Sequence, residues 1–362
     1  MSERLKNFEN ALERLRTKKH KIIFLVPDTR GIARASVAVT YKHAMTLHNQ
    51  GLDVVMLHDK NDYMGVGAWL GDEYDKLPHT SIESNKLEVS ISDFLIIPET
   101  YGNVVEKIEQ LPCMKILFVQ SLEYMLDTYS PGKTWLNYGV MDTMTTSPEA
   151  KQYIEDLMYM DNVKIVPLGI SDEFKPYTKL KKPVIAIHCK DTRKTAKLLK
   201  MFYIKYPYLR WITFRDLHGM TEADFARNLS ECILSIWSDQ SSTFPLFVAE
   251  SLKTNVPVIA QMPAIILDWM TDDMATWAMT DMQIIELTGR FIKTWLEDQV
   301  PEDFDNLTRF TDGKFTVDEM TKAIITVYDE YLAERIETIT EVIDNFKDAN
   351  NIETPKTNEE KN

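Results

Sequence analysis

The sequence predicts an α/β protein with two doubly wound domains, each a parallel β-sheet covered by helices on both faces. Short apolar strands alternate with helical segments along most of the chain, which is the pattern of parallel sheets. The alternation stops at residues 169–182, where one proline and four lysines stand without periodicity, and it restarts after them. A length of 362 residues also suits two domains.

These observations divide the chain into five parts. The predicted parts are an N-terminal domain (1–168), a linker (169–182), a C-terminal domain (183–310), a helical segment (311–345) and a disordered polar tail (346–362). Each of the two domains is expected to contain its own βαβ units.

The composition excludes one class of surface. The net charge of -14 argues against a broad nucleic-acid surface, because neutralising phosphates requires clustered Lys and Arg. A local basic groove near the N-terminal cleft stays open, formed by Arg30, Arg34, Lys42 and Lys60.

Cysteine usage and the start of the chain indicate a cytoplasmic protein. Three widely spaced cysteines without a CxxC pair suit reduced, structural thiols. The charged N-terminus lacks the apolar core of a signal peptide, and no apolar run is long enough to span a membrane. We therefore expect a cytoplasmic localisation.

The N-terminal half is predicted to begin with an amphipathic helix over residues 2–18, followed by a βαβ unit. The loop between the strand Lys21–Val26 and the helix Ser36–Gln50 contains only one glycine, Gly31, so no GxGxxG dinucleotide fingerprint is present. Polar residues follow the later strands, and ligands of such sheets bind at the carboxyl ends of strands. The residues expected to line one crevice there are Glu99, Gln120 and Ser147.

The C-terminal half repeats the alternation, and its most informative stretch runs from Ser242 to Ala260. This stretch predicts a loop, a short helix from Pro245 to Leu252 capped by Thr243, and a buried strand from Val256 to Ala260. The helix N-terminus would present free N–H groups and a positive dipole end to a phosphate. The other predicted elements are the strands Pro183–His188, Leu209–Phe214 and Cys232–Ile236 and the helices Arg193–Tyr206, Glu222–Leu229 and Val317–Ile343.

Two motifs give the strongest functional signal. The first contains Val166, Pro167, Gly169, Ile170, Phe174 and Pro176, and the second contains Phe244, Leu246, Glu250, Leu252, Pro257, Val258, Ile259 and Ala260. In their order they resemble the linker and donor motifs of retaining glycosyltransferases of the GT-B architecture, the glycogen-synthase-like superfamily. The segments Pro98–Tyr101 and Phe118–Gln120 resemble bacterial rhamnosyltransferase relatives.

The resemblance implies a GT-B fold, in which two Rossmann-like domains face a cleft and a C-terminal helix returns to the N-terminal domain. It implies transfer of a hexosyl or pentosyl group from a nucleotide-diphosphate sugar, such as a UDP sugar, without a metal or a further cofactor. Glu250 would bond the ribose hydroxyls. The catalytic candidates are Arg193, Lys190 and Glu99, the two cations stabilising the leaving diphosphate. The other donor-binding candidates are Gly31, Lys194, Phe214, Arg215, Leu217, Ser242, Thr243, Phe244, Leu246 and Phe247.

The chain departs from the family at three positions of the donor motif. Ser242 stands where the family has a glutamate, and Thr243 and Pro245 stand where it has glycines. Because that glutamate and the glycine backbone approach the transferred sugar, the alternative is a catalytically inactive GT-B domain that binds a nucleotide or glycan as a scaffold. Pro245 also removes one phosphate donor and leaves the N–H groups of Leu246 and Phe247.

The acceptor and the oligomeric state stay open. A glycan, a lipid-linked sugar, a protein or a hydroxymethylated DNA base would each be compatible with the sequence. The low count of 12 glycines beside 18 methionines suits a phage or low-GC bacterial chain, which keeps the DNA base among the candidates. An epimerase of the same architecture is a third hypothesis, which the linker match disfavours.

Overall fold

Two parallel β-sheets form the centre of the protein. The computed structural model describes residues 3–127, 132–189, 191–239, 244–297 and 307–350. The N-terminal domain contains the helices α1 (Glu3–Arg16), α2 (Ala35–Asn49), α3 (Gly102–Ile108), α4 (Leu122–Asp127) and α5 (Pro148–Met158). Its strands are β1 (Lys21–Leu25), β2 (Asp53–His58), β3 (His79–Ser81), β4 (Phe94–Pro98), β5 (Met114–Val119), β6 (Asp142–Thr145) and β7 (Asn162–Ile165).

The N-terminal sheet has seven parallel strands in the order β3-β2-β1-β4-β5-β6-β7. Its central strands are buried along almost their whole length, because helices cover both faces of the sheet. This explains why their sequences are continuously apolar rather than alternating.

The C-terminal domain is built in the same way around five parallel strands. Its elements are β8 (Lys182–His188), α6 (Thr192–Lys205), β9 (Thr213–Asp216), α7 (Glu222–Ser230), β10 (Cys232–Trp237), α8 (Leu246–Lys253), β11 (Val258–Gln261), β12 (Thr276–Ala278) and α9 (Asp281–Leu296). The strand order is β12-β11-β10-β8-β9. Thr221 caps α7, since its hydroxyl accepts the N–H of Asp224 at 3.2 Å.

A last helix, α10 (Val317–Ala349), returns to the N-terminal domain as the resemblance implies. It packs against α1, α2 and β7, and the Tyr331 hydroxyl donates to the carbonyl of Thr143 in β6 at 2.8 Å. A capping box at Thr316 begins the helix.

The linker crosses the start of α10 so closely that only glycine fits at one position. A Cβ on Gly169 would lie 2.9 Å from Val317 Cα and 3.0 Å from the Thr316 carbonyl. The next residue, Ile170, donates its N–H to the carbonyl of Phe315 at 2.7 Å. The glycine of the linker motif is therefore required by the close approach of two backbones.

The two domains are in direct contact. The Lys42 ammonium of α2 lies 3.0 Å from the Glu222 carboxylate of α7, and the Glu149 carboxylate of α5 accepts the N–H of Asp268 at 2.8 Å. One apolar cluster also runs from α1, α2 and α10 through the linker to α7 and α8. The cleft is thus bounded by contacts from both domains.

The predicted bounds of several elements differ from the observed ones. The strand predicted at Leu209–Phe214 begins at Thr213, because residues 207–209 form a 3-10 helix that buries Leu209. Helix α8 begins at Leu246, one residue later than predicted, with Pro245 at its N-cap position. Strand β11 begins at Val258, since the Val256 N–H closes the end of α8 on the Ser251 carbonyl. Helix α10 continues past the predicted Ile343 to Ala349, into the segment predicted as tail.

The predicted boundaries of the five parts of the chain stay predictions. The cap proposed at Thr243 lies outside the described residues, as do residues 351–362 of the predicted tail.

Candidate functional site

Each sheet has one point at which the strand order reverses, called its switch point. Open α/β sheets bind ligands at this point, outside the carboxyl ends of the strands. In the N-terminal sheet the chain leaves β1 toward β2 on one side and later returns to β4 on the other. In the C-terminal sheet β9 and β10 flank β8 in the same way. The loops after β1, β4, β8 and β10 therefore define the candidate site.

A stack of three rings lies at the carboxyl end of β8. The ring of His188 lies between His218, at 4.7 Å, and Phe247, at 5.0 Å, with interplanar angles of 20° and 17°. Burial, with a smaller contribution from His218, lowers the pKa of His188 to about 4, so its ring is neutral. The stack joins the loop after β9, the end of β8 and the first turn of α8.

Glu250 follows Phe247 by three residues and lies on the same face of α8. It therefore faces the crevice at the carboxyl ends of the C-terminal strands, beside the ring stack. The residue as a whole is partly exposed, but burial of its carboxyl group, together with the charge of Glu222, raises the pKa of that group to about 8, which Lys42 partly opposes. At neutral pH the group is mostly protonated. It can then both donate and accept hydrogen bonds, which suits a pair of hydroxyl groups.

The predicted cations lie at the start of α6. The Arg193 side chain is exposed, and no ion pair or hydrogen bond engages its guanidinium within the described part of the chain. The Lys194 ammonium instead donates to the Gln261 side chain at the end of β11, and it lies 3.8 Å from the Asp281 carboxylate. Lys190 lies outside the described residues.

The N-termini of α6 and α8 are less open to an anion than the sequence predicts. Asp191 caps α6 by accepting the N–H of Arg193 at 2.8 Å. At α8 the N–H of Leu246 donates to the carbonyl of Phe244 at 2.8 Å, so the prediction that this donor is free is wrong. The cause is the tight turn that Pro245 makes before the helix.

Phe244 itself is an anchor for this turn. It is buried, and its ring packs against Trp269 and Phe315, both at 5.3 Å. Ser242 and Thr243 lie outside the described residues. The first residue of the donor motif, Phe244, is thus held in place by an aromatic cluster near the linker.

The donor-binding candidates Phe214, Arg215 and Leu217 are spread over both faces of the sheet. Phe214 packs against Phe202 at 5.0 Å in the apolar layer under α6, whereas Leu217 is buried in the layer that contains α8. The Arg215 guanidinium donates to Asn228 of α7 at 2.7 Å. The structure brings Leu217 and Phe247 into one layer and leaves Phe214 in the other.

On the N-terminal side, Gly31 and Glu99 follow the two strands of the switch point. Gly31 has φ of +76°, a left-handed conformation that favours glycine. Glu99 is buried in a short 3-10 helix after β4. Gln120 donates to the Ser36 carbonyl at 3.0 Å, and Ser147 caps α5, so these two fix helix starts rather than face an open crevice.

The predicted basic groove is partly neutralised by acidic side chains. Arg30 is paired with Asp28 at 3.0 Å and with Asp62 at 3.1 Å. Lys42 is paired with Glu222 across the domains. Two of the four candidate cations thus already have carboxylate partners.

A cavity of about 750 Å³ lies between the domains beside the Lys42–Glu222 pair. Helix α2, the linker, α7 and the start of α10 contribute to its lining, as does a loop around Trp69. Asp75 orders that loop by accepting the N–H groups of Val66 at 2.9 Å and Gly67 at 3.0 Å. Polar groups from both domains therefore surround a space large enough for a small ligand.

Neither a cluster of metal ligands nor a membrane-spanning helix is present among the described residues. They contain no group of three or more His, Cys, Asp or Glu side chains that could hold a metal ion. None of the helices in the described ranges is both long and apolar enough to cross a bilayer. The three cysteines are buried free thiols, as expected.

Solved structures share this arrangement over most of their length. Sucrose-phosphate synthase from Thermosynechococcus elongatus matches with a TM-score of 0.63 and 12% identity, over 87% of this chain and 100% of its own. The pneumococcal O-GlcNAc transferase GtfA, solved with UDP and GlcNAc, matches with a TM-score of 0.60 and 9% identity, over 88% and 99%. The chain has the GT-B fold. S. aureus TarM, solved as a variant with UDP and glycan ligands, matches the same fold with a TM-score of 0.60 and 8% identity, over 85% and 99%.

No protein-family model and no curated protein sequence matches the chain. At identities this low, the structural similarity establishes the GT-B fold and leaves the activity to the site itself.

Sequence reasoning missed two features of the site. The ring stack involves His188, the last residue of an apolar strand, and His218, in the loop after the next strand. A polar aromatic residue that ends an apolar strand is a signal that could have singled out His188. Nothing in the sequence pairs Lys42 with Glu222, which are 180 residues apart.

Proposed function

We propose that the protein transfers a glycosyl group from a nucleotide-diphosphate sugar to an acceptor. The observation that carries the proposal is the contact between Phe247 and His188, at 5.0 Å. It fixes the first turn of α8 at the C-terminal switch point and turns Glu250 into the same crevice. The GT-B neighbours solved with UDP support UDP as the nucleotide.

In this proposal Glu250 bonds the two ribose hydroxyls. The exposed guanidinium of Arg193 and the ammonium of Lys194 stabilise the negative charge that develops on the leaving diphosphate. Lys190 is proposed to assist them, and Glu99 and Gly31 to face the transferred sugar from the N-terminal domain. Transfer with retention and without a metal needs no protein nucleophile, since the leaving phosphate can take the acceptor proton.

Nucleotide binding tests the site directly. We expect UDP, in a thermal-shift panel with GDP, dTDP and CMP, to raise the melting temperature of the wild-type protein. Glu250→Ala removes hydrogen bonds to hydroxyls and should weaken UDP binding about 10- to 100-fold.

The matched control is Glu231→Ala, since Glu231 is also partly buried but precedes the amino end of β10. Its response to UDP should equal that of the wild type. If no nucleotide stabilises the protein, or if Glu250→Ala responds like Glu231→Ala, the site assignment is wrong.

The geometry at α8 favours a second candidate, a GT-B domain that binds a nucleotide without transfer. Pro245 has no N–H, and the Leu246 N–H is already used by Phe244, so fewer donors face a phosphate. Release of free UDP from a UDP sugar in excess chelator separates the two functions. Slow hydrolysis supports a metal-independent transferase, whereas binding without any hydrolysis supports the scaffold.

A further inference from the structure

One exposed surface lies at the amino ends of the C-terminal strands, at the opposite end of the sheet from the candidate site. Large apolar side chains project into solvent there, namely Leu180 (85% exposed), Ile204 (81%), Tyr208 (71%) and Trp211 (46%). Isolated exposed apolar residues are ordinary, but a group of four within one small area indicates an interaction surface.

Strand pairing brings these residues together from separate segments. Strands β8 and β9 are parallel with Val184 opposite Thr213, so Lys182 and Trp211 are level with each other at the strand starts. Helix α6 runs back from the carboxyl end of β8 and delivers Ile204 to the same end. The Tyr203 hydroxyl fastens the end of α6 to the carbonyl of Ile212 at 2.8 Å.

The same area is rich in cations although the chain as a whole is acidic. Residues 175–182 contain four lysines and no acid, and residues 198–211, from the second half of α6 to Trp211, contain three basic residues and no acid, in a chain with a net charge of -14. We name the amino-end patch as the four apolar residues together with Lys179, Lys182, Lys200, Lys205 and Arg210.

Acidic neighbours offset only part of this charge. Glu231 pairs with Lys182 and Glu286 pairs with Lys205. In contrast, Lys179, Lys200 and Arg210 are exposed, and the described residues offer them no carboxylate within ion-pair distance. The apolar residues are therefore flanked by net positive charge.

We propose that the amino-end patch docks the protein onto a membrane surface that contains anionic lipids. Apolar and aromatic side chains flanked by Lys and Arg suit the bilayer interface, where rings and aliphatic chains enter the headgroup region and cations meet lipid phosphates. A nucleic-acid backbone would satisfy the cations but would leave Leu180 and Ile204 without a partner. Docking in this way leaves the carboxyl-end crevice facing away from the lipid, and it does not depend on the proposed glycosyl transfer.

Vesicle flotation tests the apolar part of the patch. The wild-type protein should float with phosphatidylcholine vesicles that contain phosphatidylglycerol at physiological salt, and much less with phosphatidylcholine alone. Leu180→Ser combined with Ile204→Ser should weaken this binding at least about tenfold, because both side chains would lose their burial in lipid.

A matched pair on the N-terminal domain controls for a general loss of surface hydrophobicity. Met141 and Tyr159 are 66% and 78% exposed, so Met141→Ser with Tyr159→Ser removes a similar apolar area away from the patch. This variant should bind vesicles like the wild type. Unchanged circular dichroism and melting temperature verify that both double variants are folded.

Three results would overturn the proposal. The first is no flotation of the wild-type protein with anionic vesicles, and the second is equal loss of binding in both serine pairs. The third is full binding by the Leu180→Ser/Ile204→Ser variant together with loss of binding in Lys200→Glu/Arg210→Glu and displacement by duplex DNA. That pattern would identify a purely electrostatic, nucleic-acid surface.

Discussion

The ionisation of Glu250 gives the most direct physical test of the site. Its pKa is raised from 4.5 to about 8, first by burial and then by the charge of Glu222. Glu250→Gln keeps the size of the side chain and removes the ionisable group. The variant therefore isolates the free energy of placing a carboxylate in the crevice.

The raised pKa sets the direction in which the free energy of unfolding changes with pH. Below about pH 4.5 the group is protonated in both the folded and the unfolded chain, so it carries no penalty. Between pH 4.5 and about 8 the unfolded chain loses the proton while the folded protein keeps it, so the free energy of unfolding falls as pH rises. Above about pH 8 the penalty is complete.

The penalty for ionising Glu250 in the folded protein has an upper bound of about 5 kcal/mol. This follows from 1.36 kcal/mol for each unit between the ordinary pKa of 4.5 and the folded-state pKa of about 8. Glu250 is only partly buried, so water in the cleft screens part of the penalty. We expect the wild-type protein to lose about 2 kcal/mol relative to Glu250→Gln between about pH 5 and about pH 8.

Urea unfolding followed by circular dichroism measures this difference at each pH. Subtracting the variant from the wild type cancels the titration of buried histidines, including His43, whose pKa burial lowers to about 3. If the free energies of unfolding of the wild type and of Glu250→Gln change in parallel between about pH 5 and about pH 8, the carboxyl group of Glu250 is not in a buried environment that raises its pKa.

Two further variants test the cause. Glu222→Gln removes the nearby negative charge and should shift the window to lower pH, whereas Lys42→Met removes the opposing cation and should shift it to higher pH. Both variants break the same ion pair between the domains. A shift in the same direction would therefore show that the broken pair, and not the charge at Glu250, controls the pH dependence.

Three other predictions concern the contacts and the N-cap of α10, and each is measured by the same unfolding experiment. Tyr331→Phe should lower the free energy of unfolding by about 1 kcal/mol, because it removes the hydrogen bond to the Thr143 carbonyl of β6, whereas Tyr328→Phe should be neutral or stabilising, because the described residues offer that buried hydroxyl no hydrogen-bond partner. Thr316→Ala removes the cap of α10 and should destabilise by about 1 kcal/mol; no change would show that the helix start is held by other contacts. Gly169→Ala should destabilise by about 2 kcal/mol, since its methyl group would collide with the backbone of Val317, and a neutral result would mean that the linker can shift.

The fold was largely predictable because its strongest signals are local. Strands buried on both faces are continuously apolar, so β8 and β10 were each located to within one residue of their observed ends. The edge strand β9 was misplaced, because it is only partly buried and lacks that apolar run. The three-residue strands β3 and β12 are too short to give any period.

The site was less predictable because its geometry depends on residues far apart in the chain. A motif located Glu250 and the linker glycine, yet the meaning of Gly169 appeared only when the start of α10 was placed against it. The pairing of Lys194 with Gln261 and the stacking of His188 on His218 join segments separated by one or more helices. Sequence periodicity carries no information on such contacts.

The helix starts at the C-terminal switch point indicate how an anionic donor would be held. Asp191 occupies the first donors of α6, and the turn at Pro245 leaves α8 with its Leu246 N–H already bonded. Backbone N–H groups usually dominate phosphate binding at helix starts, but some of them are already engaged here in hydrogen bonds within the protein. In the proposed function the charge of a diphosphate would then fall mainly on side chains, with Arg193 exposed and Lys194 held nearby by Gln261. An ammonium already bonded to an amide must exchange that bond for the phosphate, whereas a guanidinium that makes no bond to the described residues need not. In the proposed function we therefore expect Arg193 to contribute more than Lys194 to donor binding.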